Sequence, residues 1–295
     1  MVVGYKVSEA YSSKLNQRTV FITGANSGVG LALTNLFLER GWNVAATIRD
    51  TSSPTPQNLA SESGMLLVQY LDLSKPTSFQ PALDKTIERF GKIDVLINNA
   101  GHAQVGLLEH LDVDSIRRNF EVNVFGTMGL IKASLPHLRA TTDPNSPSRI
   151  IYIGSGAGHF AVPLFGPYNA SKAAMNLFME SLVYEMEGAD PPIEVKLVLA
   201  GMDQMTPDLQ GRYGAFVGRT MQILGGLQGQ SMTAACAAET VWTAATDDQP
   251  GKLRYFVGPR DGGMNLQRRM RGGQPGEDLD EVDKRYMDDM KVAYM

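Results

Sequence analysis

Residues 19–30, TVFITGANSGVG, carry the pattern that decides the fold of this 295-residue chain. Five apolar or β-branched residues lead into a glycine-rich turn, and a segment with helical spacing, 31–40, follows. Gly24, Gly28 and Gly30 let the backbone turn tightly and approach a ligand without obstruction by side chains. The helix that follows presents unpaired N–H groups and the positive end of its dipole. The stretch predicts a strand, a phosphate-binding turn and a helix; a tight turn without a ligand is the alternative.

The alternation of strands and helices continues beyond this stretch. Continuous apolar strands separated by amphipathic helices are typical of a parallel sheet that is buried on both faces. The sequence therefore predicts a single-domain α/β protein, a doubly wound Rossmann fold with about seven parallel strands, whose ligands bind at the carboxyl ends of the strands. The later strands are predicted at 43–48, 65–71, 93–97, 149–153, 193–199 and 253–257, and the later helices at 74–91 with Ser74 as cap, 112–139, 170–187 and 233–246.

The domain is predicted to end near residue 260. Within it, residues 202–230 are rich in glycine and methionine and are expected to form a lid over the substrate. Residues 261–295 are polar and are expected to form a loosely packed tail.

Composition and charge exclude several classes of function. The net charge of −4 gives no reason to expect nucleic acid or an anionic membrane as a partner. The single cysteine, Cys236, cannot form an internal disulfide, and no cluster of residues has metal-ligand spacing. Residues 1–11 lack the apolar core of a signal peptide, and no segment has the apolar length needed to span a bilayer. We therefore expect a cytoplasmic protein without a metal.

Two positions at strand ends bear on the choice of cofactor. An acid after the second strand usually holds a ribose 2′-OH, whereas an arginine there pairs with a 2′-phosphate. Here Arg49 follows that strand directly, so NADP(H) is favoured over NAD(H). Asp72, after the third strand, either hydrogen-bonds the adenine or serves as a simple turn residue.

Tyr168 and Lys172 lie four residues apart in a helical segment, so their side chains share one face of the helix. The pKa of a tyrosine is ordinarily about 10, too high for efficient proton exchange at neutral pH. A nearby ammonium group favours the phenolate, so Lys172 is expected to lower the pKa of Tyr168. The pair predicts an acid/base that can protonate an alkoxide as a hydride arrives.

Two further polar residues fit the same chemistry. Ser155, at the end of the fifth strand, can orient a carbonyl oxygen and stabilise the charge that develops there; capping the strand end is its alternative role. Asn123 lies inside an otherwise apolar helical segment, where an asparagine needs a partner. It is expected to hold a water molecule that links Lys172 to solvent.

Taken in order, these motifs resemble those of the short-chain dehydrogenase/reductase family in its compact single-domain branch. The resemblance covers residues 19–258 and rests on TGANSGVG, Asp72, Asn98-Asn99-Ala100-Gly101, Asn123, Ser155 and Tyr168-x-x-x-Lys172. The segment 253–258 is similar to the end of members that act on hydroxysteroids, retinoids and other lipophilic carbonyls. Two positions depart from the family: Ala200 replaces the usual proline before Gly201, and Gly154 replaces the first of two serines.

The resemblance implies a role for each of these residues. Tyr168 would be the general acid/base, Ser155 its partner on the carbonyl and Asn123 the end of the proton relay, while Lys172 would also bind the nicotinamide ribose. A dimer or tetramer formed through helices 112–139 and 170–187 is expected from the family. The cofactor would contact Gly24, Asn26, Ser27, Gly28, Val29, Gly30, Arg49, Asp72, Leu73, Asn99, Ala100, Gly101, Tyr168, Lys172 and Gly201.

The sequence thus predicts an NADP(H)-dependent oxidoreductase that moves a hydride between nicotinamide and a ketone or secondary alcohol of a small, mainly apolar molecule. Two alternatives stay open. The first is an isomerase, dehydratase or cyclase that uses Tyr168 without net redox, motivated by Ala200. The second is a cofactor-sensing regulator, because a fold does not fix a function.

Overall fold

The protein is represented by a computed structural model that describes residues 17–51, 64–143, 146–159, 161–200, 233–249 and 252–257. Seven strands form one parallel sheet in the order β3-β2-β1-β4-β5-β6-β7. This order confirms the predicted doubly wound sheet, and it reverses between β1 and β4. The strands are β1 Thr19–Thr23, β2 Asn43–Ile48, β3 Leu66–Tyr70, β4 Val95–Asn98, β5 Arg149–Ser155, β6 Glu194–Ala200 and β7 Arg254–Phe256. The predicted lid (202–230) and tail (261–295) lie outside the described residues.

Helices cover both faces of the sheet, as the sequence predicted. The α-helices are α1 Gly28–Glu39, α2 Phe79–Phe90, α3 Val113–Phe120, α4 Thr127–Thr141, α5 Gly166–Glu187 and α6 Ala234–Thr246. Short 3₁₀ turns lie at Pro76–Ser78, Leu108–His110 and Gly156–Gly158. None of the helices in the described part of the chain has the length and apolar character needed to cross a membrane.

Alternating side chains of the strands divide the core into two layers. On β1, Phe21 packs with the cluster that includes Met175 of α5, whereas Ile22 packs with the cluster that includes Val241 of α6. All four side chains are fully buried. The alternation fixes which helix covers which face, and it places the loops at the carboxyl ends of the strands along one rim.

The helix predicted at 112–139 is confirmed as one helical stretch over residues 113–141, but its hydrogen-bond pattern changes in the middle. Asp112 caps α3 by accepting a 2.8 Å hydrogen bond from the backbone N–H of Ser115. Residues Glu121–Gly126 then form a π-helical segment before α4 begins. Gly126 closely approaches the loop after β3 at this level, since a Cβ at position 126 would lie 2.1 Å from the Leu73 carbonyl oxygen. The sequence did not indicate the π-helical segment, which contains Asn123.

The starts of α5 and β4 and the predicted role of Ser74 also differ between the sequence analysis and the structure. Helix α5 begins at Gly166, four residues earlier than predicted, so Tyr168 lies within its first turn. Strand β4 begins at Val95, two residues later than predicted, and the Asp94 carboxylate before it accepts a 2.6 Å hydrogen bond from the Thr19 backbone N–H. Ser74 does not cap α2, because its hydroxyl donates instead to the Asp72 carboxylate at 2.7 Å.

Candidate active site

A cavity of about 520 Å³ lies at the carboxyl ends of the strands where the strand order reverses. This is the position at which doubly wound sheets bind ligands. A second cavity, of about 280 Å³, lies at the opposite, amino ends of β5 and β6 and lacks the glycine-rich turn. The larger cavity is lined by Gly24, Asn26, Ser27, Val29, Arg49, Asp50, Leu71, Asp72, Leu73, Asn99, Ala100, Gly101 and Val122.

Most of the residues predicted to contact a cofactor line this cavity. Gly28 and Gly30 do not line it and shape the turn through their backbones. Tyr168 and Lys172 do not line it either. Gly201 lies outside the described residues. The sequence analysis missed Asp50, Leu71 and Val122; the first two adjoin predicted contacts, but Val122 reaches the cavity from the π-helical segment, which no sequence pattern indicated.

The glycine-rich turn is closed by direct contacts between backbones. Gly24 and Gly28 adopt positive φ angles of 66° and 52°, which side chains disfavour. Gly30 has a different reason to be glycine: a Cβ there would lie 2.1 Å from the Gly24 carbonyl oxygen and 2.6 Å from Asn99 Nδ2. The turn thus leaves a cradle without side chains at the N-terminus of α1, which fits the pyrophosphate of a dinucleotide.

The turn after β4 is tied to the end of β1. The Asn99 side-chain amide donates to the carbonyl oxygens of Thr23 and Gly24 at 2.8 and 3.1 Å. The Thr23 hydroxyl accepts hydrogen bonds from the backbone N–H groups of Asn99 and Ala100 at 3.0 and 2.9 Å. These bonds hold the two sides of the cavity in register.

Arg49 and Asp72 lie at the part of the cavity formed by the ends of β2 and β3. Arg49 lines the cavity, so its guanidinium group is placed to meet an anionic group. One oxygen of Asp72 accepts hydrogen bonds from the backbone N–H and hydroxyl of Ser74 at 2.9 and 2.7 Å. Asp72 therefore forms a turn while also lining the cavity, so its two predicted roles are compatible.

Ser155, Tyr168 and Lys172 meet at the end of β5. Ser155 is buried, and its oxygen accepts a 3.2 Å hydrogen bond from the Ala157 backbone N–H. Tyr168 lies close enough to Ser155 for that hydroxyl to affect the pKa of Tyr168. The Lys172 ammonium group donates to the Ile153 carbonyl oxygen at 3.0 Å and lies 5.8 Å from the centre of the Tyr168 ring. The three side chains thus lie side by side.

The pKa of Tyr168 differs from the sequence-based expectation. Burial raises its pKa above the ordinary value, and the Ser155 hydroxyl offsets this only in part. The expected lowering by Lys172 was wrong for this arrangement, because the ammonium group points at Ile153 and burial dominates. Burial also lowers the pKa of Lys172, to about 8. Tyr168 is consequently protonated at neutral pH, and the ammonium form of Lys172 is present only below about pH 8.

Asn123 is held by the chain that follows the β4 turn. Its side-chain oxygen accepts from the His102 backbone N–H at 2.7 Å, and its amide donates to the His102 carbonyl and the Ser171 hydroxyl at 2.8 and 2.9 Å. A Cβ on Gly101 would lie 3.5 Å from the Asn123 oxygen and 3.7 Å from Lys172 Nζ. Gly101 therefore keeps the gap between Asn123 and Lys172 open.

Residues around this group were missed by the sequence analysis. Asn119, one turn before Asn123, donates to the same His102 carbonyl at 2.7 Å. The spacing of two asparagines four residues apart was a signal that could have found it. Tyr152 on β5 was also missed, and its ring lies beside Lys172, with 4.8 Å between Nζ and the ring centre.

The loop between β5 and α5 forms an apolar wall beside Tyr168. Ala157, Val162, Leu164 and Phe165 are buried in a small cluster that also contacts Tyr168. The ring centres of Phe165 and Tyr168 are 6.2 Å apart in an edge-to-face arrangement. In the part of the chain that is described, no group of His, Cys, Asp and Glu could hold a metal ion.

A doubly wound sheet with a dinucleotide cradle, adjoined by a serine, a tyrosine and a lysine, defines the class of Rossmann-fold oxidoreductases. The family model for short chain dehydrogenases matches residues 18–211. The chain belongs to the short-chain dehydrogenase/reductase family, which confirms the resemblance found in the sequence.

Individual relatives agree with this assignment. The chain is 33% identical to 11-beta-hydroxysteroid dehydrogenase A of Sesamum indicum over 65% of this chain and 54% of that enzyme. It is 26% identical to the NADPH-dependent 3-dehydrocapnine reductase of Ornithobacterium rhinotracheale over 82% and 89% of the two chains. It superimposes on a short-chain dehydrogenase from Streptomyces avermitilis with a TM-score of 0.73 at 26% identity, covering 94% and 97% of the chains. The match to the plant hydroxysteroid dehydrogenases spans little more than half of their length, 54% and 58% in two of them.

Proposed function

We propose that this protein is an NADP(H)-dependent oxidoreductase that transfers a hydride between nicotinamide and a ketone or secondary alcohol of a small, mainly apolar molecule. The observation that carries the proposal is the placement of Tyr168 beside Ser155 and the buried Lys172. The cavity that adjoins this group has the turn, the volume and the lining of a dinucleotide site. The apolar wall of Val162, Leu164 and Phe165 favours an apolar substrate.

In the proposed reaction the bound nicotinamide supplies the hydride. Ser155 holds the substrate oxygen, and Tyr168 donates its phenolic proton to that oxygen as negative charge develops. Lys172 binds the nicotinamide ribose and stabilises the phenolate that remains. Asn123 positions a water molecule across the gap at Gly101, so that the proton is replaced from solvent. The raised pKa of Tyr168 keeps the side chain protonated at neutral pH, as the role of proton donor requires.

The preference for NADP(H) is supported by the position of Arg49 in the cavity lining. A guanidinium group pairs with a 2′-phosphate through charge-assisted hydrogen bonds. The relative from Ornithobacterium rhinotracheale is named as NADPH-dependent, in agreement with this proposal.

Titration with NADPH and NADH tests the proposed cofactor. Arg49→Ala is expected to weaken NADPH binding about 10- to 100-fold, the range for one charge-assisted contact, and to leave NADH binding unchanged. Nicotinamide fluorescence measures both affinities. Arg139→Ala is the matched control, because it removes the same charge from the exposed last turn of α4, at the opposite rim of the sheet. Absence of binding of either cofactor overturns the redox proposal; product formation without cofactor consumption supports the non-redox alternative instead.

The pH dependence of NADPH use tests the role of Lys172. Its pKa is lowered to about 8, so the ammonium group is lost as the pH rises through that value. The kcat/KM for NADPH, which reports ionisations of the free enzyme, is therefore expected to fall above about pH 8. A profile that stays flat to about pH 10, near the ordinary lysine value, contradicts this role.

Self-association is proposed through the helices that the sequence analysis named. Phe125 in the π-helical segment and Leu177 on α5 are 60% and 68% exposed, which is unusual for large apolar side chains. A homodimer or homotetramer that covers these two side chains is expected, and sedimentation equilibrium of the purified protein measures its size.

A further inference from the structure

Lys172 is a buried cation that lacks the usual compensation. Its side chain is 5% exposed, and no ion pair of the described residues includes it. The Ile153 carbonyl oxygen, at 3.0 Å, is its one hydrogen-bond acceptor in the described part of the chain. A buried ammonium group with so few polar partners loses much of the stabilisation that water gives it, which favours the neutral amine.

The aromatic ring of Tyr152, on strand β5, is a second source of stabilisation for the Lys172 ammonium group. Lys172 Nζ lies 4.8 Å from the centre of the Tyr152 ring, nearer than its 5.8 Å distance from the Tyr168 ring. A cation is attracted to the negative face of an aromatic ring, and the attraction is strongest where water is excluded. Tyr152 is 1% exposed, so this contact is dry.

The hydroxyl of Tyr152 does not account for the presence of an aromatic residue at this position. It is buried, and it has no hydrogen-bond partner among the residues that the structure describes. Burial raises the pKa of Tyr152 well above its ordinary value, so the side chain stays neutral. Burial of the unpaired hydroxyl therefore costs desolvation free energy. The aromatic ring is the part of the side chain that contacts and stabilises the Lys172 ammonium group.

The close packing of α5 on β5 fixes the distance between ring and ammonium group. Gly154 lies two residues after Tyr152 and therefore on the same face of the strand. A Cβ at position 154 would lie 2.8 Å from the side-chain oxygen of Asn176, one helical turn after Lys172. Glycine at position 154 therefore leaves room for the Asn176 side chain of α5 against the strand.

We propose that Tyr152 is a positioning residue whose aromatic face holds the ammonium form of Lys172 beneath the nicotinamide ribose. The link to catalysis rests on the function proposed above, whereas the contact between the ring and the ammonium group does not. In the part of the chain that the structure describes, the titratable groups in contact with Lys172 are Tyr152 from β5 and Tyr168 from its own helix, and burial lowers its pKa. Removal of the ring face lowers the proton affinity of Lys172 further.

The test measures the ionisation of Lys172 directly by NMR. Protein labelled with ¹³C at lysine Cε is titrated with base, and Lys172→Arg identifies the resonance by its loss. Tyr152→Leu is expected to lower the proton affinity of Lys172 about tenfold, or about one pKa unit. Tyr152→Phe keeps the ring and removes only the hydroxyl, so its titration is expected to match the wild type.

A series of fluorinated rings separates electrostatics from packing. Phenylalanines with one, two or three fluorines at position 152 keep the shape of the ring and weaken its negative face stepwise. The Lys172 titration midpoint is expected to fall with each fluorine, and the alkaline limb of kcat/KM for NADPH with it. This series remains decisive if Tyr152→Leu does not fold. A midpoint that stays constant across the series overturns the proposal.

The two proposals fail in distinguishable ways. A shifted Lys172 titration in a protein that does not reduce ketones with NADPH supports the ring contact and contradicts the proposed function. Active protein with an unshifted titration contradicts the ring contact alone.

Discussion

Tyr168→Phe is expected to lower kcat for carbonyl reduction by about 10²–10⁴-fold, the range for loss of a general acid. Tyr168 lies beside Ser155, and its raised pKa keeps its proton in place at neutral pH. Phenylalanine keeps the edge-to-face contact with Phe165 and removes only the proton donor. Single-turnover reduction with saturating NADPH measures the loss.

Two measurements separate this effect from damage to the fold. NADPH affinity and the melting temperature of Tyr168→Phe are expected to match the wild type, because the hydroxyl alone is removed. Tyr70→Phe is the control, since it removes the same group from an exposed tyrosine on the edge strand β3. A loss of less than about tenfold in Tyr168→Phe, below the range for general acid catalysis, shows that another group donates the proton.

Gly30→Ala is expected to be the most damaging substitution in the cofactor site. The added Cβ would lie 2.1 Å from the Gly24 carbonyl oxygen, and a backbone atom cannot rotate away from it. The turn must shift, which is expected to cost about 3 kcal/mol of unfolding free energy, the upper end of the range for overpacking. The displaced N–H groups are expected to weaken NADPH binding at least about tenfold. Chemical denaturation and fluorescence titration measure the two effects.

Gly188→Ala is the control for this prediction. Gly188 lies at the end of α5 with a φ of −77°, and a Cβ there would lie 3.4 Å from the Tyr184 carbonyl oxygen, an ordinary contact. Its stability is expected to stay about the same, because alanine readily adopts this right-handed helical conformation. If Gly30→Ala is as stable as Gly188→Ala and binds NADPH equally well, the turn is not held by the contact with Gly24.

The sheet could be predicted because its signals are local. All seven strands of the described sheet were predicted within two residues of both ends, since short apolar runs bounded by glycine and polar residues depend on neighbouring residues. The bounds of the helical segments near Asn123 and Tyr168 were harder to predict from the sequence. The π-helical segment depends on the contact between Gly126 and the Leu73 carbonyl, two residues that are distant in sequence.

The candidate site divides in the same way. Tyr168 and Lys172 share a helix, so their proximity follows from their spacing. The glycine-rich turn can be recognised in the sequence from its residue types. Val122 and Tyr152 join the site from other elements, and no local pattern marks them. The direction of the Tyr168 pKa was also wrong from sequence, because burial depends on the whole fold.

The sequence by itself determined the alternation of strands and helices, the glycine-rich turn at its start and the order of the chemical groups along the chain. These features depend on hydrophobic period, backbone sterics and spacing, which act over a few residues. The tertiary structure alone decided how deeply Lys172 and Tyr168 are buried, which aromatic ring faces the ammonium group and where the Asn123 amide is anchored. Desolvation, ring contacts and long-range hydrogen bonds join residues that are far apart in the chain, so only the packed fold specifies them.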